Sequence, residues 1–298
     1  MRGVSAFIAL LATAGSAAAA RAQDDGPRVY QLAPVGTRTF TAFAVAKRGN
    51  EEPEPGSVHP GSKIDTNLLV LRYVQTFDLG GRPFSPFVIV PFGQVKSGGA
   101  PTGSGVGDVQ VGATLGLPGA PALSASQFVE FDPHFGLQVL ARIYFPTGAY
   151  SARKPVNLGS NRIAYQLGLP MVLARGGYRE PSFTSLEVLP TLTFYQSNDE
   201  PFAAARSTKA ALASVEAHLT RNLGRRLWIS ADMLYRGGGE TSTDGVADRN
   251  GMHGWSAGFS AALPVSRTSL IFTYERVIQR SDGGPDGWFF RTALVAPL

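Results

Sequence analysis

The sequence predicts an all-β protein, an antiparallel transmembrane β-barrel of about 12 strands. Three observations predict it. Apolar and polar residues alternate with a period of two in segment after segment. Thirty-five glycines and twenty-one prolines fall mostly between those segments, as turns between many short strands require. An export leader opens a chain that contains no cysteine.

Taken in order, the first 22 residues read as a signal peptide. Arg2 precedes an apolar run from Val4 to Ala14, and the tail Ala20-Arg21-Ala22 has the small-x-small form that a signal peptidase cuts. The apolar run is shorter than the roughly 20 residues a helical span needs. A mature domain over 23–298 is therefore expected, long enough for one large β unit. The absence of cysteine excludes a lipidated anchor, disulfides and thiolate metal sites. Arg2 and Arg21 leave with the leader, so 25 basic residues face 22 acidic ones. With charge this scattered no basic stripe suggests nucleic acid. Mean hydropathy near neutral is too polar for a helical membrane protein but suits a barrel, whose lipid-facing and lumen-facing residues alternate.

Twelve candidate strands follow, at about 37–46, 64–77, 84–96, 107–117, 134–146, 161–174, 184–196, 208–221, 226–237, 252–264, 267–279 and 287–297. Each carries its own parity. Val109, Val111, Ala113 and Leu115 oppose Asp108, Gln110, Gly112 and Thr114. Phe135, Leu137, Val139, Ala141, Ile143 and Phe145 oppose Gly136, Gln138 and Arg142. Leu186, Val188, Leu192 and Phe194 oppose Ser185, Glu187, Thr191 and Thr193, and Leu227, Ile229, Ala231, Met233 and Tyr235 oppose Ser230, Asp232 and Arg236. Trp255, Ala257, Phe259 and Ala261 oppose Ser256, Gly258 and Ser260, and Trp288, Phe290 and Leu294 share one face of the last strand. Residues 203–219 also fit a helical period through Leu212, Val215 and Leu219. The alternation of Ala211, Ala213, Val215, Ala217 and Leu219 against Ser214, Glu216, His218 and Thr220 favours a strand.

Short links at 79–82 and 223–225 read as periplasmic turns, and the longer polar links at 49–62, 150–160, 196–206 and 237–250 as extracellular loops. Tyr144, Phe145, Phe194, Tyr195, Tyr235, Trp255, Tyr274 and Trp288 lie near strand ends and are expected to form interfacial girdles.

If the apolar parity faces lipid, Gln138, Arg142, Glu187, Thr191, Thr193, Glu216, His218, Asp232 and Arg236 face the lumen. There they either pair with one another or set selectivity for a passing solute. Glu216 and His218 share a face and could act as an acid/base pair, although two ordinary lumen residues explain them as well. The histidines at 59, 134, 218 and 253 lack metal-ligand spacing, so no metal and no cofactor are expected. The glycines at 103, 105 and 107 lack the lysine and the strand-loop-helix context of a nucleotide loop. Tyr150, Arg153, Asn157, Gly159 and Asn161 form a polar loop. It reads either as a turn fixed by glycine and asparagine or as a constriction loop folding into the lumen.

Several segments go beyond a generic barrel pattern: Tyr30-Gln31-Leu32-Ala33-Pro34-Val35-Gly36-Thr37, Gly105-Val106-Gly107-Asp108, Phe145-Pro146-Thr147-Gly148-Ala149-Tyr150 with Val156-Asn157-Leu158-Gly159-Ser160-Asn161-Arg162, Tyr195-Gln196-Ser197-Asn198-Asp199-Glu200, and Tyr235-Arg236-Gly237-Gly238 with Thr243-Asp244-Gly245. In this order and spacing the chain resembles the outer-membrane transporter family named for the meta-cleavage pathway of phenol degradation. The resemblance implies a bacterial outer-membrane barrel that passes small aromatic or hydrophobic compounds, and it brings no catalytic residues. One departure is the C-terminus, Ala296-Pro297-Leu298, where many such barrels end on an aromatic residue.

The expectation is thus a passive channel in the outer membrane with a small-molecule solute and lipid as partners, no nucleic acid and no chemical step. Two alternatives stand beside it. An outer-membrane barrel enzyme acting on lipid would need a nucleophile and base that the sequence does not visibly arrange. A soluble periplasmic β-sandwich binding module would show the same alternation.

Overall fold

The computed structural model describes residues 25–53, 56–98, 103–224 and 226–298. The leader assigned to residues 1–22 and the cleavage point before Gln23 lie outside the described residues. Twelve antiparallel strands close into one barrel: β1 Arg38–Gly49, β2 Ile64–Gln75, β3 Pro83–Ser97, β4 Val109–Gly116, β5 Phe135–Phe145, β6 in two pieces, β7 Thr184–Tyr195, β8 Leu212–Asn222, β9 Trp228–Gly238, β10 Met252–Val265, β11 Thr268–Arg280 and β12 Gly287–Pro297. Every strand pairs with its neighbours in sequence. β12 closes on β1 from Thr39↔Pro297 to Gly49↔Gly287. With no exposed sheet edge, every wall strand has partners on both sides, which a lipid environment demands. A strand spacing of about 4.8 Å and a tilt of about 40° give twelve strands a backbone diameter of about 24 Å.

The barrel is polar inside and apolar outside. Leu167, Leu219 and Phe259 are more than half exposed, while Thr66, Thr220, Asp232, Ser260 and Thr273 are almost fully buried. Alternation places these two sets on opposite faces of the same strands. The ladder of β6 is interrupted between Ala164–Gly168 and Met171–Arg175 because Pro170 has no N–H to donate. The wall stays continuous there, since Gln138 donates to the Pro170 carbonyl at 2.8 Å and Leu169 donates to Pro190 at 3.1 Å.

Loop lengths orient the barrel. The links at 76–82, 176–183, 223–227 and 266–267 are short, and those at 50–63, 146–163, 196–211 and 239–251 are long. The short-turn end is periplasmic by the usual asymmetry. One periplasmic link, 117–134, is long and carries the helix α1, Ala125–Glu130, started by a capping box between Ser124 and Gln127. The glycine- and proline-punctuated strand pattern leaves little room for helices, and this one falls in a link between two predicted strands. From Ser207 to 219, by contrast, the chain is strand rather than helix: Ser207–Lys209 joins a small extracellular sheet with Thr241–Thr243 and Val246–Ala247, and β8 follows.

Two of the aromatics assigned to girdles point the other way. Tyr144 is buried in the lumen beside Arg142, and Tyr195 packs inward under Lys209 and against the cluster of Val58, Leu212 and Met252. Both sit on the inward parity of their strands. Phe145, Phe194 and Trp255 do face outward, and Tyr235 packs on Trp255 with centroids 4.9 Å apart.

Candidate functional site

The lumen has two unlike halves. On β7 to β11 the strand registers line up ionisable residues in a ring, with Glu187 opposite His218, His218 opposite Asp232, Asp232 opposite Gly258 and Gly258 opposite Glu275. Gly258 makes room for its neighbour, since a Cβ there would lie 2.4 Å from the Glu275 side chain and closer still to the Tyr274 carbonyl. One layer toward the periplasm, Ser185, Thr220, Ser230, Ser260 and Thr273 form a hydroxyl belt in the same registers. Ser185 and Thr220 share a hydrogen bond of 2.8 Å, and Ser260 and Thr273 one of 2.9 Å. The other half, on β1 to β3 and β5, presents Val45, Leu68, Val70, Phe87 and Leu140 inward and forms an apolar cluster.

All nine residues assigned to the lumen are buried inside the barrel. His218 Nδ1 lies 2.8 Å from Asp232, and its Nε2 lies 3.5 Å from Glu216. Ser230 and Ser260 donate to Asp232 at 2.5 and 2.6 Å, so these hydroxyls support the acid rather than stand as nucleophiles beside the imidazole. Arg236 is nearer the extracellular end and pairs with Glu51 at 2.5 Å. Glu51 also meets Lys47 at 3.2 Å. Thr193 accepts a hydrogen bond from Gln166 at 3.3 Å. Among the described residues no group of three or more His, Asp or Glu side chains could hold a metal ion.

The residues that fill the centre of the lumen come from ahead of β1. The segment 25–36 runs back into the barrel from its periplasmic end as an internal plug. Near its base Val35 donates to Leu123 and Gly36 to Thr76, both at 2.8 Å. Further in, Gln138 donates to the Tyr30 carbonyl at 2.5 Å, and Gln31 donates to Ser185 and Glu187 at 2.9 Å. The Arg28 backbone donates to Glu187 at 3.1 Å, and its guanidinium lies over Trp228 at 4.6 Å and Phe183 at 5.3 Å. At the first of the described residues, Asp25 receives both a 2.6 Å and a 2.8 Å bond from Arg142, and its backbone N–H reaches Glu216. Sequence reasoning placed Arg142, Glu187, Glu216 and Gln138 in the lumen but did not find what they hold. Asp25 to Gly36 has no alternation, so strand-reading passes over it.

The second obstruction is the loop over 146–163. Val156 and Leu158 are buried against the apolar half with Ile64 and Val95, which brings the loop down into the extracellular mouth. Asn157 ties the loop to itself, accepting from the Ser151 N–H at 3.0 Å and donating to the Ser151 and Lys154 carbonyls. Gly159 lies against Gly148, where a Cβ would come within 2.7 Å of backbone. Asp108 clamps both arms, accepting from Gly148 N–H, Ser160 N–H and the Ser160 hydroxyl at 2.9, 2.9 and 2.6 Å. Asn161 takes a left-handed conformation and donates to Asn198 at 2.8 Å, and the Tyr150 hydroxyl donates to the Glu200 carbonyl at 2.8 Å. Arg153 is the exception in this set: its side chain is exposed, held away from the mouth by the turn that follows Ser151.

Plug and loop leave two cavities. One of about 360 Å3 lies beside the plug toward the periplasm, with Arg28, Arg72 and Arg291 against Asp25 on its walls. The other, of about 340 Å3, lies under the extracellular loops.

Comparison with known proteins adds a lineage to this geometry. The family model described as "Putative MetA-pathway of phenol degradation" matches residues 46–285. Among solved structures, the chain is similar to the COG4313 outer membrane channel from Pseudomonas putida F1, with a TM-score of 0.75 and 18% identity over 92% of this chain and 100% of that one. It is also similar to the translocator domain of the autotransporter NalP from Neisseria meningitidis, with a TM-score of 0.50 and 9% identity over 90% of each chain. A search of curated proteins gives no match.

Proposed function

On the premise that the chain belongs to the MetA-pathway family of phenol degradation, we propose that it is a passive outer-membrane channel for small molecules. The single observation that carries this reading is a closed barrel with a polar, hydroxyl-rich and charged interior, holding cavities at both of its ends. A barrel that served only as a scaffold would gain more by filling its interior with apolar side chains, because buried ion pairs rarely repay their desolvation. The likeness to the Pseudomonas putida channel supports the same fold-level conclusion.

In this reading Gln138, Arg142, Glu187, Thr191, Thr193, Glu216, His218, Asp232 and Arg236 line the path and set selectivity, and the 146–163 loop narrows its outer end. The hydroxyl belt offers weak, repeated contacts, which suit passage better than one tight site. Three arginines against one carboxylate in the periplasmic cavity favour anionic over cationic solutes. The apolar half of the lumen gives a hydrophobic or aromatic body a surface to slide along.

Planar-bilayer recordings of the full-length protein test this. Discrete conductance steps, with a reversal potential favouring anions in a salt gradient, are expected. Absence of steps from both the native protein and a variant lacking residues 25–36 overturns the channel reading.

A further inference from the structure

The cavity under the extracellular loops contains a cation whose hydrogen bonds are unfinished. Arg162 is 92% buried, being 8% exposed, and its Nη2 donates to the Ser207 hydroxyl at 3.1 Å. Its Nη1 is buried and finds no partner. A buried donor without an acceptor costs about 1–3 kcal/mol, more for a charged group, so such an atom marks a place where something else belongs. Burial also lowers the guanidinium pKa, while Glu52 and two tyrosines pull it back up.

The acids on the cavity wall are already engaged. Glu52 accepts from the Asn157 N–H at 3.3 Å and lies 3.6 Å from His59 Nε2. Asp248 accepts from the hydroxyls of Thr241 and Thr243. Between the polar groups of this wall lies an apolar strip, with Pro60, Pro155, Pro201 and Phe202. Phe202, 47% exposed, gives that strip an aromatic surface open to contact. At about 340 Å3 the space is near the lower end of small-molecule sites, which run from about 300 to 1,000 Å3.

We propose that this cavity binds a small monocarboxylate with an apolar body, its carboxylate on the Arg162 guanidinium and its body against the strip of prolines and Phe202. A guanidinium presents a planar fork that fits a carboxylate, and in a desolvated site such a bond is charge-assisted. An inorganic anion would satisfy the arginine but leave Pro60, Pro155, Pro201 and Phe202 uncovered. The site stands apart from the permeation reading, since a ligand can dock at the outer mouth whether or not it then crosses.

Calorimetric titration of the full-length protein in detergent tests the proposal without any conductance measurement. Benzoate should bind saturably at one site. Benzamide, the same shape without the charge, and acetate, the same charge without the body, should each bind at least tenfold more weakly. Arg162→Gln should weaken benzoate at least tenfold while the heat-dependent gel shift of the barrel is retained. Equal affinity for benzamide and benzoate, or undiminished benzoate affinity in the glutamine variant, overturns the proposal. Should that variant not fold, Phe202→Trp in the otherwise native chain gives a second reading. 4-Nitrobenzoate should quench the new indole and benzoate should restore it, whereas quenching that is absent or displaced equally by benzamide overturns the site.

Discussion

The contact that closes the lumen at its centre is between Asp25 of the plug and Arg142 on β5, and replacing Asp25 by alanine removes it together with the bond that Asp25 accepts from the Tyr30 hydroxyl at 2.5 Å. In the seated plug, the two oxygens of Asp25 take two bonds from Arg142 Nη2, with side-chain exposures of 11% and 4%. Without Asp25 the guanidinium keeps its long bonds to Gln110 and Tyr144, at 3.4 and 3.3 Å, but loses its counter-charge. Removing one partner of a buried pair costs about 3–5 kcal/mol because a charge is left uncompensated. That cost falls on the seated state, since withdrawal of the segment lets water reach Arg142. At about 1.4 kcal/mol per tenfold, the seated-to-withdrawn ratio should fall by roughly a hundred-fold to a few thousand-fold. Single-channel recordings should show openings to a larger conductance that are rare in the native protein and frequent in D25A. Trypsin should cut after Arg28, which is held between Trp228 and Phe183 in the seated plug. The double variant D25N/R142Q removes both charges and should regain much of the native closure, because what remains lost is of the order of an ordinary hydrogen bond, about 1 kcal/mol. Native-like conductance and protection of Arg28 in D25A, or a double variant as open as the single one, would refute the reasoning.

Other parts of the structure make further claims. Gly159→Ala should displace the loop over the mouth at a cost of about 1–3 kcal/mol, because the new methyl meets Gly148 backbone that cannot yield; faster proteolysis within 146–163 is the expected sign. Deleting residues 151–156 removes Val156 from its seat and should raise conductance in planar bilayers, and an unchanged conductance sinks the constriction role of this loop. His59 should titrate above its ordinary value: burial pushes its imidazolium down, but the Glu52 carboxylate 3.6 Å away outweighs it. A raised folded-state value means that the stability from this contact is full below the ordinary histidine pKa of about 6.5 and is lost as pH rises through the folded value. Thermal melts from pH 5 to 8 should therefore show a decline in the native protein that His59→Gln lacks. N-terminal sequencing of protein recovered from outer membranes should begin at Gln23.

What the sequence could tell followed from which physical constraint governs each part. Strand residues obey a period of two because lipid lies on one side of them and the lumen on the other, so Phe135 to Phe145 announces its two faces in one reading. The same rule fixed the inward set from Gln138 to Arg236, and its neglect misplaced Tyr144 and Tyr195, whose aromatic character suggested a girdle although their parity pointed inward. The plug obeys no period. Its inner residues are fixed one at a time by partners more than 100 positions away, as Asp25 is by Arg142 and Arg28 by Glu187, and such pairings leave no trace in local spacing. Helix α1 escaped for a related reason: Ser124 and Gln127 do spell a capping box, but six residues with no buried face give no amphipathic stripe to read.

The division of the lumen into an apolar and a polar half links these pieces. Tyr30 of the plug and Val156 and Leu158 of the outer loop all join the apolar cluster on the β1-to-β5 side. The polar edge of the plug, Arg28 and Gln31, meets the acid and hydroxyl rings on the β7-to-β11 side. The plug is therefore amphipathic across its width, and its fit depends on both halves at once. A solute moving past it meets the same two surfaces, so an amphiphilic molecule gains on both sides whereas a purely polar ion gains on one. Widening the apolar half alone distinguishes the two. Leu140→Ala leaves every charged contact of Arg142 in place, so it should raise permeation of benzoate more than that of chloride, measured as relative permeability from reversal potentials. An equal rise for both ions would mean that the apolar half serves only to seat the plug.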